Sequence, residues 1–396
     1  MSNSYWDRRH QEFEILSMPF HYEDSTTEVL IEETFDKREI RKRLREMSCN
    51  NLDLTAPTEK NILDCSFSYE YQRYDGVVSY RYTSNIIPLF NDTQIAKRTF
   101  FISSGMGAIS SFIISLFAYG RYNIRHSPDI YFETIDILSQ FNRKDGTLMY
   151  YIDSIQNDPD NTFPELFNSS NHRIVVLDTT CWSYNQASKI IKILLGQGHI
   201  CIALRSHTKL DMLGTEFSKL GSVTYYVSKS SKREQIEVMK ELLSNHMRMI
   251  GHLGVWATPD AFPAFWREER FIATSTNRTI AIQEANRRAA KTLIEQNGVP
   301  FILPAHSLFI LLQIFEEAND ATKKLTALID KFVEKEKSLG LPVRRATGFG
   351  FDDVVVDVYY DNQVKKNTVR IAFGDIPLEI TEIIIKDLQG VMYNDI

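Results

Sequence analysis

His199-Ile200-Cys201-Ile202-Ala203-Leu204, followed without a break by Arg205-Ser206-His207-Thr208-Lys209, decides the architecture. An apolar run without polar alternation predicts a strand covered on both faces, as in a parallel sheet. The polar loop Arg205–Lys209 then falls at the carboxyl end of that strand. Upstream, Arg173-Ile174-Val175-Val176-Leu177-Asp178 repeats the pattern. Between the two strands, Ser183–Leu195 reads as a helix with Ile190, Ile191, Ile193, Leu194 and Leu195 on its apolar face. Gly196-Gln197-Gly198 closes that helix. Downstream, Ser222–Val227 predicts another strand. Earlier in the chain, Thr99-Phe100-Phe101-Ile102-Ser103 is a strand, Ser104-Gly105-Met106-Gly107 a turn and Ala108–Tyr119 an apolar helix. Such alternation predicts an α/β fold with a doubly wound, mostly parallel sheet, whose ligands sit outside the carboxyl ends of the strands.

After Gly251 the regular alternation stops. Helices are expected over Thr279–Gln296, Ala318–Leu339 and Glu379–Leu388. Asp353–Tyr360 and Thr368–Phe373 read as strands, and Ser307–Phe315 is an apolar segment. This mixture predicts a smaller α+β C-terminal domain. The chain therefore divides into an N-terminal arm (1–60), a large α/β domain (61–250) and the C-terminal domain (251–396). Its 396 residues exceed what one hydrophobic core usually supports. The arm carries one basic stretch, Lys37–Glu46, read as a solvated helix or an arm on a partner subunit.

Composition removes several function classes. Glycine (17) and proline (12) make up about 7% of the chain, against roughly 12% in average usage, so disordered and collagenous classes are excluded. A net charge of -6 is wrong for a general nucleic-acid binder, which needs a positive footprint. The cysteines Cys49, Cys65, Cys181 and Cys201 form no C-x-x-C pair and are too widely spaced for a disulfide scaffold. They read as reduced thiols of a cytoplasmic protein. His126, His172, His252 and His306 lack metal-ligand spacing, so no metal is expected. No apolar run approaches a membrane span, and no P-loop or G-x-G-x-x-G is present.

Three features fall at predicted strand ends. Ser103-Ser104-Gly105-Met106 opens a helix, where free amides and the helix dipole can hold a phosphate. The same glycine would equally serve to open a tight turn. Asp178 ends an apolar strand, where a carboxylate is costly unless a cation or donor meets it. Ser206, Thr208 and Lys209 then supply two hydroxyls and an amine, with His207 alternating away from them and read as structural. An anion cradle, an isolated acid and a lysine are the three things that pyridoxal phosphate requires.

At these positions the chain resembles the pyridoxal-phosphate-dependent enzymes of cysteine and methionine metabolism, which include cystathionine γ-synthase, cystathionine β-lyase and methionine γ-lyase. Ser103–Ile109 is similar to their Ser-Gly-Met-Ala-Ala-Ile phosphate turn. Asp129-Ile130-Tyr131-Phe132-Glu133-Thr134 resembles Asp-Leu-Tyr-Gly-Gly-Thr, whose tyrosine stacks on the cofactor. Val176–Thr180 resembles Val-Asp-Asn-Thr, whose aspartate pairs with the ring nitrogen. Ser206–Lys209 resembles Ser-x-Thr-Lys, which ends on the Schiff-base lysine. Val369–Gly374 resembles Arg-x-Ser-x-Gly, whose arginine grips the substrate carboxylate.

The resemblance implies a fold type I enzyme in which Lys209, Tyr131 and Asp178 are catalytic. Ser104, Gly105, Met106, Thr180, Ser206 and Thr208 would hold the cofactor, with Tyr71 and Arg73 reaching from a neighbouring subunit in preference to Tyr80-Arg81. Arg370 and Thr347 would hold the substrate. It implies β/γ-elimination or γ-replacement on a homoserine ester or sulfur amino acid, in a homodimer or homotetramer with shared sites. An aminotransferase is the second reading, and a non-catalytic binding protein on the same fold the third. The sequence departs from the family at Phe132-Glu133 in place of Gly-Gly, at Thr179 and Cys181-Trp182 around the aspartate, and at Thr347-Gly348-Phe349-Gly350, which matches Ser-Leu-Gly-Gly only loosely. These departures put bulkier groups near the cofactor and point to a specialised biosynthetic variant.

Overall fold

A computed structural model describes residues 5–16, 37, 59–62, 65–68, 94–127, 130–141, 145–155, 163–168, 172–257, 261–297, 301–314, 319–361 and 366–395. In chain order, helix α1 (Tyr5–Ile15) precedes strands β1 (Glu59–Ile62), β2 (Cys65–Ser68) and β3 (Ile95–Ile102). Next come α2 (Gly105–Tyr119), β4 (Tyr122–His126), α3 (Phe132–Phe141), β5 (Thr147–Asp153), α4 (Pro164–Asn168) and β6 (Ile174–Asp178). They are followed by α5 (Tyr184–Gly196), β7 (Ile200–Ser206), β8 (Gly221–Ser228) and α6 (Arg233–Leu253). The remainder is α7 (Phe271–Asn297), β9 (Phe301–Ile302), β10 (Ile310–Ile314), α8 (Asn319–Ser338), β11 (Val343–Arg345), β12 (Val354–Asp361), β13 (Lys366–Ala372) and α9 (Leu378–Asp395).

These elements form two compact units. One comprises Met1–Lys42, Lys209–Glu216 and Glu268–Ile396, and the other Arg43–Thr208 and Phe217–Arg267. The second holds a six-stranded sheet of order β3-β8-β7-β6-β5-β4, in which β4 to β7 are parallel neighbours. Strand β8 alone runs against both of its neighbours. The reason is the connection: residues 207–220 contain turns but no helix, and a chain that returns without a crossover can only pair antiparallel. Composition hides this reversal, because β8 is as thoroughly buried as the parallel strands. Ile102, Ile109, Phe112, Met149, Val176, Ile202 and Val223 lie in its core.

Local signals set the helix ends. Ser183 caps α5 in a reciprocal box with Gln186, and after Gln197 the chain turns through Gly198 at φ +81°. Replacing Ser183 with Ala is expected to cost about 1 kcal/mol, the usual value of a lost N-cap, measurable as a lower urea midpoint with an unchanged slope. Ser206 belongs to strand β7 rather than to the following loop. Arg205, assigned to a polar loop on sequence grounds, is therefore a buried strand residue. Its guanidinium donates to the carbonyls of Thr179 and Trp182 and lies 4.6 Å from the Tyr184 ring centroid.

The first unit holds a five-stranded sheet of order β11-β12-β13-β10-β9. Its core gathers Ile310, Leu312, Val354, Val356, Val369 and Ile371 with Leu293, Ile329, Phe332, Ile384 and Leu388. Helix α7 begins eight residues before the sequence expectation. Between the buried Phe271 and Ile282 its buried positions Thr274, Ser275, Arg278 and Thr279 are polar, as are Gln283 and Asn286 beyond them, so a hydrophobic period does not mark its start. Asn286 Nδ2 donates to Phe373 O (2.9 Å) and its Oδ1 accepts from Phe373 N (3.1 Å), while Arg278 Nη2 donates to Gly350 O and Phe351 O (3.0 and 2.7 Å). Arg278 also joins Arg9, Lys37, Glu12, Asp352 and Asp375 in a buried charge cluster.

Candidate active site

Within the sheet unit, the carboxyl ends of β5, β6 and β7 meet the start of α2. Ser104 caps α2, its hydroxyl accepting from Gly107 N at 2.9 Å, which leaves the amides of Gly105 and Met106 without an intrahelical acceptor. Gly105 is required by close approach. A Cβ there would sit 2.4 Å from Ser206 Cβ and 3.0 Å from its Cα. Gly221 has the same role on the other side, where an added Cβ would meet Ser104 O at 2.2 Å. Two glycines and Ser206 therefore bring strand ends and helix start together around free backbone donors, an arrangement suited to an oxyanion.

Thr180 ties this cradle to the acid. Its hydroxyl accepts from Ser206 N at 3.0 Å, and its own amide donates to Asp178 Oδ1 at 2.9 Å. Thr208 is partly committed elsewhere, donating to Ser218 O at 3.3 Å and accepting from Leu220 N at 3.5 Å. His207 is buried, with Nε2 2.8 Å from Ser222 Oγ and its ring against Phe101 and Trp266, as a structural histidine would be.

Asp178 is buried and has a neighbour that sequence reasoning missed. Asp153 ends β5 and lies in register with Asp178 on the adjacent parallel strand. The signal was present: Thr147–Asp153, like Arg173–Asp178, is an apolar run ending in aspartate. Asp153 Oδ2 accepts from Tyr131 N and Oδ1 from Ile155 N, both at 2.9 Å. Burial, followed by the charge of Asp178, pushes the Asp153 carboxyl up to about 8. Burial also raises Asp178, opposed by its bonds to Thr180 and by the Arg205 charge. Tyr131 lies before α3, with its ring centroid 4.8 Å from that of Phe132. Phe132 itself is 45% exposed, so much of the bulk that replaces glycine at this position faces outward.

In the other unit, Lys209 lies against the loop of residues 347–351. Its Nζ is 5.5 Å from the Phe349 ring centroid and 6.0 Å from that of Phe351. Gly348, at φ +138°, lets the loop pass: a Cβ there would stand 2.7 Å from Lys209 Nζ. Thr347 is exposed. Arg370 lies opposite Asp357 across β12 and β13, with Nη2 3.2 Å from Asp357 Oδ2, and 5.8 Å from the Phe309 ring centroid. Phe309 and Phe349 stand 5.7 Å apart, linking the surroundings of the lysine and the arginine. The guanidinium is thus partly neutralised, and an incoming carboxylate would have to share it with Asp357. Arg344 is engaged by Asp353 and Glu216. Tyr71 and Arg73 lie outside the described residues.

No protein-family model matches the chain, and no curated protein matches it in sequence. Among solved structures, it is similar to apo CalE6, a methionine gamma lyase from Micromonospora echinospora, with 13% identity, 89% of this chain and 98% of that chain covered, and a TM-score of 0.52. An aminotransferase from Anaerococcus prevotii is 12% identical over 89% of this chain and 86% of its own, with a TM-score of 0.49. The first likeness shows the fold. The chain has the fold type I α/β architecture, built on a mixed, mostly parallel central sheet.

Proposed function

We propose that this chain is a pyridoxal-phosphate-dependent enzyme acting on an amino acid, with Lys209 as the residue that links covalently to the cofactor. The observation that carries this reading is the cradle at Gly105 and Ser206, joined through Thr180 to a buried aspartate at the next strand end. The residues fit the group: free amides at the start of α2 and the Ser206 hydroxyl suit its phosphate, and Asp178 suits a protonated ring nitrogen. Bound pyridoxal phosphate would supply an electron sink for charge developing at the substrate α-carbon. Lys209 would move the proton at that carbon, flanked by Phe349 and Phe351, which restrict where its amine points. Tyr131 would pack on the ring, and Arg370 would orient the substrate carboxylate through its planar fork. Tyr71 and Arg73 would complete the phosphate site from a second subunit of a dimer or tetramer.

Within this class we favour elimination or replacement at Cβ or Cγ of a homoserine ester or sulfur amino acid, on the resemblance at residues 103–109 and 206–209. Transamination uses the same residues and is the competing reading. Adding candidate amino acids to protein loaded with pyridoxal phosphate decides between them. Release of ammonia with a 2-oxo acid supports elimination, and stoichiometric conversion of the cofactor to its amine form supports transamination. Failure of the purified protein to bind pyridoxal phosphate overturns the proposal. Gly105→Ala is expected to weaken cofactor uptake at least about tenfold, because the new methyl overpacks the cradle against Ser206. An absorbance titration against wild type measures that loss.

A further inference from the structure

Asp153 belongs to no motif of the resemblance, yet its position is tightly constrained. It is 1% exposed, ends its strand level with Asp178, and spends both oxygens on backbone amides, one of them from Tyr131. Side chains at matching positions of neighbouring parallel strands point to the same face. Two carboxyl groups so placed, away from water, resist carrying charge together near neutral pH, because the first ionisation opposes the second. The other groups bearing on the pair decide which one keeps the proton. Tyr151, two residues back on the same strand, is buried and has its hydroxyl raised well above the ordinary value, by burial first and then by the two aspartates, so it brings no charge. From the next strand Arg205 favours the charged form of Asp178, as do the bonds from Thr180; the amides of Ile155 and Tyr131 favour a charged Asp153, but burial and the Asp178 charge outweigh them. Thr134 of α3 is neutral, and Ser154 is occupied by Cys181 N.

We propose that Asp153 is a positioning residue, the proton-bearing member of a carboxyl pair with Asp178, which keeps the negative charge on Asp178 and fixes Tyr131 to the same point. The pair holds one proton, on Asp153, and no bond to carbon changes. The arrangement has a purpose only if Asp178 faces a cationic ring nitrogen, so the inference rests on the proposed function. In that setting Asp153 holds the ring-nitrogen acid and the ring-stacking tyrosine as one rigid group. Asp153 loses its proton as pH rises through about 8.

The test begins without cofactor or turnover. Aspartate labelled with carbon-13 at its side-chain carboxyl separates this pair from Glu336, another buried acid with a raised value. Infrared spectra of labelled wild type at pH 6.5 should contain one protonated aspartate carboxyl band that fades as pH rises through about 8, and Asp153→Asn should lack it. A band that survives in Asp153→Asn, or no such band in wild type, overturns the proposal. The second arm uses pyridoxal phosphate. Asp153→Leu, which removes both acceptors, should still bind it but with at least a twofold smaller induced circular dichroism, because Tyr131 loses its anchor, while Asp153→Glu should recover part of the signal. An unchanged dichroism signal in Asp153→Leu overturns the positioning role. If wild type binds no pyridoxal phosphate, the proposed function fails, whereas the infrared result decides the proton on Asp153 by itself.

Discussion

Lys209→Ala is expected to bind pyridoxal phosphate without forming a covalent link. The visible absorbance of wild type should be absent from the variant, and borohydride treatment should leave no cofactor-modified peptide. Turnover should fall by about 10²–10⁴-fold or more, the range for removing a positioned proton-transfer group, with the lost covalent attachment added to it. Cofactor affinity should fall much less, because the phosphate contacts proposed for Ser206 and the amides of α2 remain. Small amines added to the variant should restore part of the turnover, since the missing function is an amine at one point. If Lys209→Ala keeps the visible band, another lysine carries the cofactor and the assignment is wrong. The loop gives an internal control: Gly348→Ala keeps the lysine but would put a methyl 2.7 Å from its Nζ, at a φ of +138° that alanine resists, so the amine or the loop must shift.

Several parts of this arrangement were legible in the sequence because they depend on local chemistry. The buried strands 174–178 and 200–206 announce themselves by apolar runs, and the capped helix between them by Ser183 and Gly198. The glycine at position 105 could be read as a cradle or as an ordinary turn, and only its distance from Ser206 distinguishes the two. Other parts depend on partners remote in sequence. Asp153 acquires meaning only through its register with Asp178, 25 residues later. Asp357 lies 13 residues from Arg370, and the pair becomes visible only when β12 and β13 align. The reversal of β8 is invisible to hydrophobicity because burial on both faces erases the alternation that usually marks an antiparallel strand.

The same dependence on remote partners makes Arg278 a position where a single change should strongly destabilise its unit. Arg278 is buried, with Nη1 2.7 Å from Asp352 Oδ1, while Nη2 holds the carbonyls of Gly350 and Phe351. Asp352 also receives Arg9 (2.9 Å) and Lys37 (2.8 Å), so three cations converge on one carboxylate inside the unit. Burial alone would raise Asp352, but Arg278, Arg9 and Lys37 hold it well below the usual carboxylate range. Asp375 is likewise raised by burial and lowered on balance by Arg9, Arg8 and Arg278. Arg278→Met should therefore cost about 3–5 kcal/mol in urea unfolding, the range for breaking a buried ion pair by removing one partner, with the carbonyls of Gly350 and Phe351 losing their donor as well. Because both aspartates have depressed folded values, their contribution is present above the unfolded value near 4 and disappears as pH falls below it. Wild type should accordingly lose stability steeply below about pH 4, and Arg278→Met should show a shallower loss, since Asp352 and Asp375 then start closer to their unfolded values. The double variant Arg278→Met, Asp352→Leu should cost less than the sum of the two single changes, the signature of a coupled pair. A cost below about 1 kcal/mol for Arg278→Met, with an unchanged acid limb, would show that the cluster does not brace the loop that carries Gly348, Phe349 and Phe351 to Lys209.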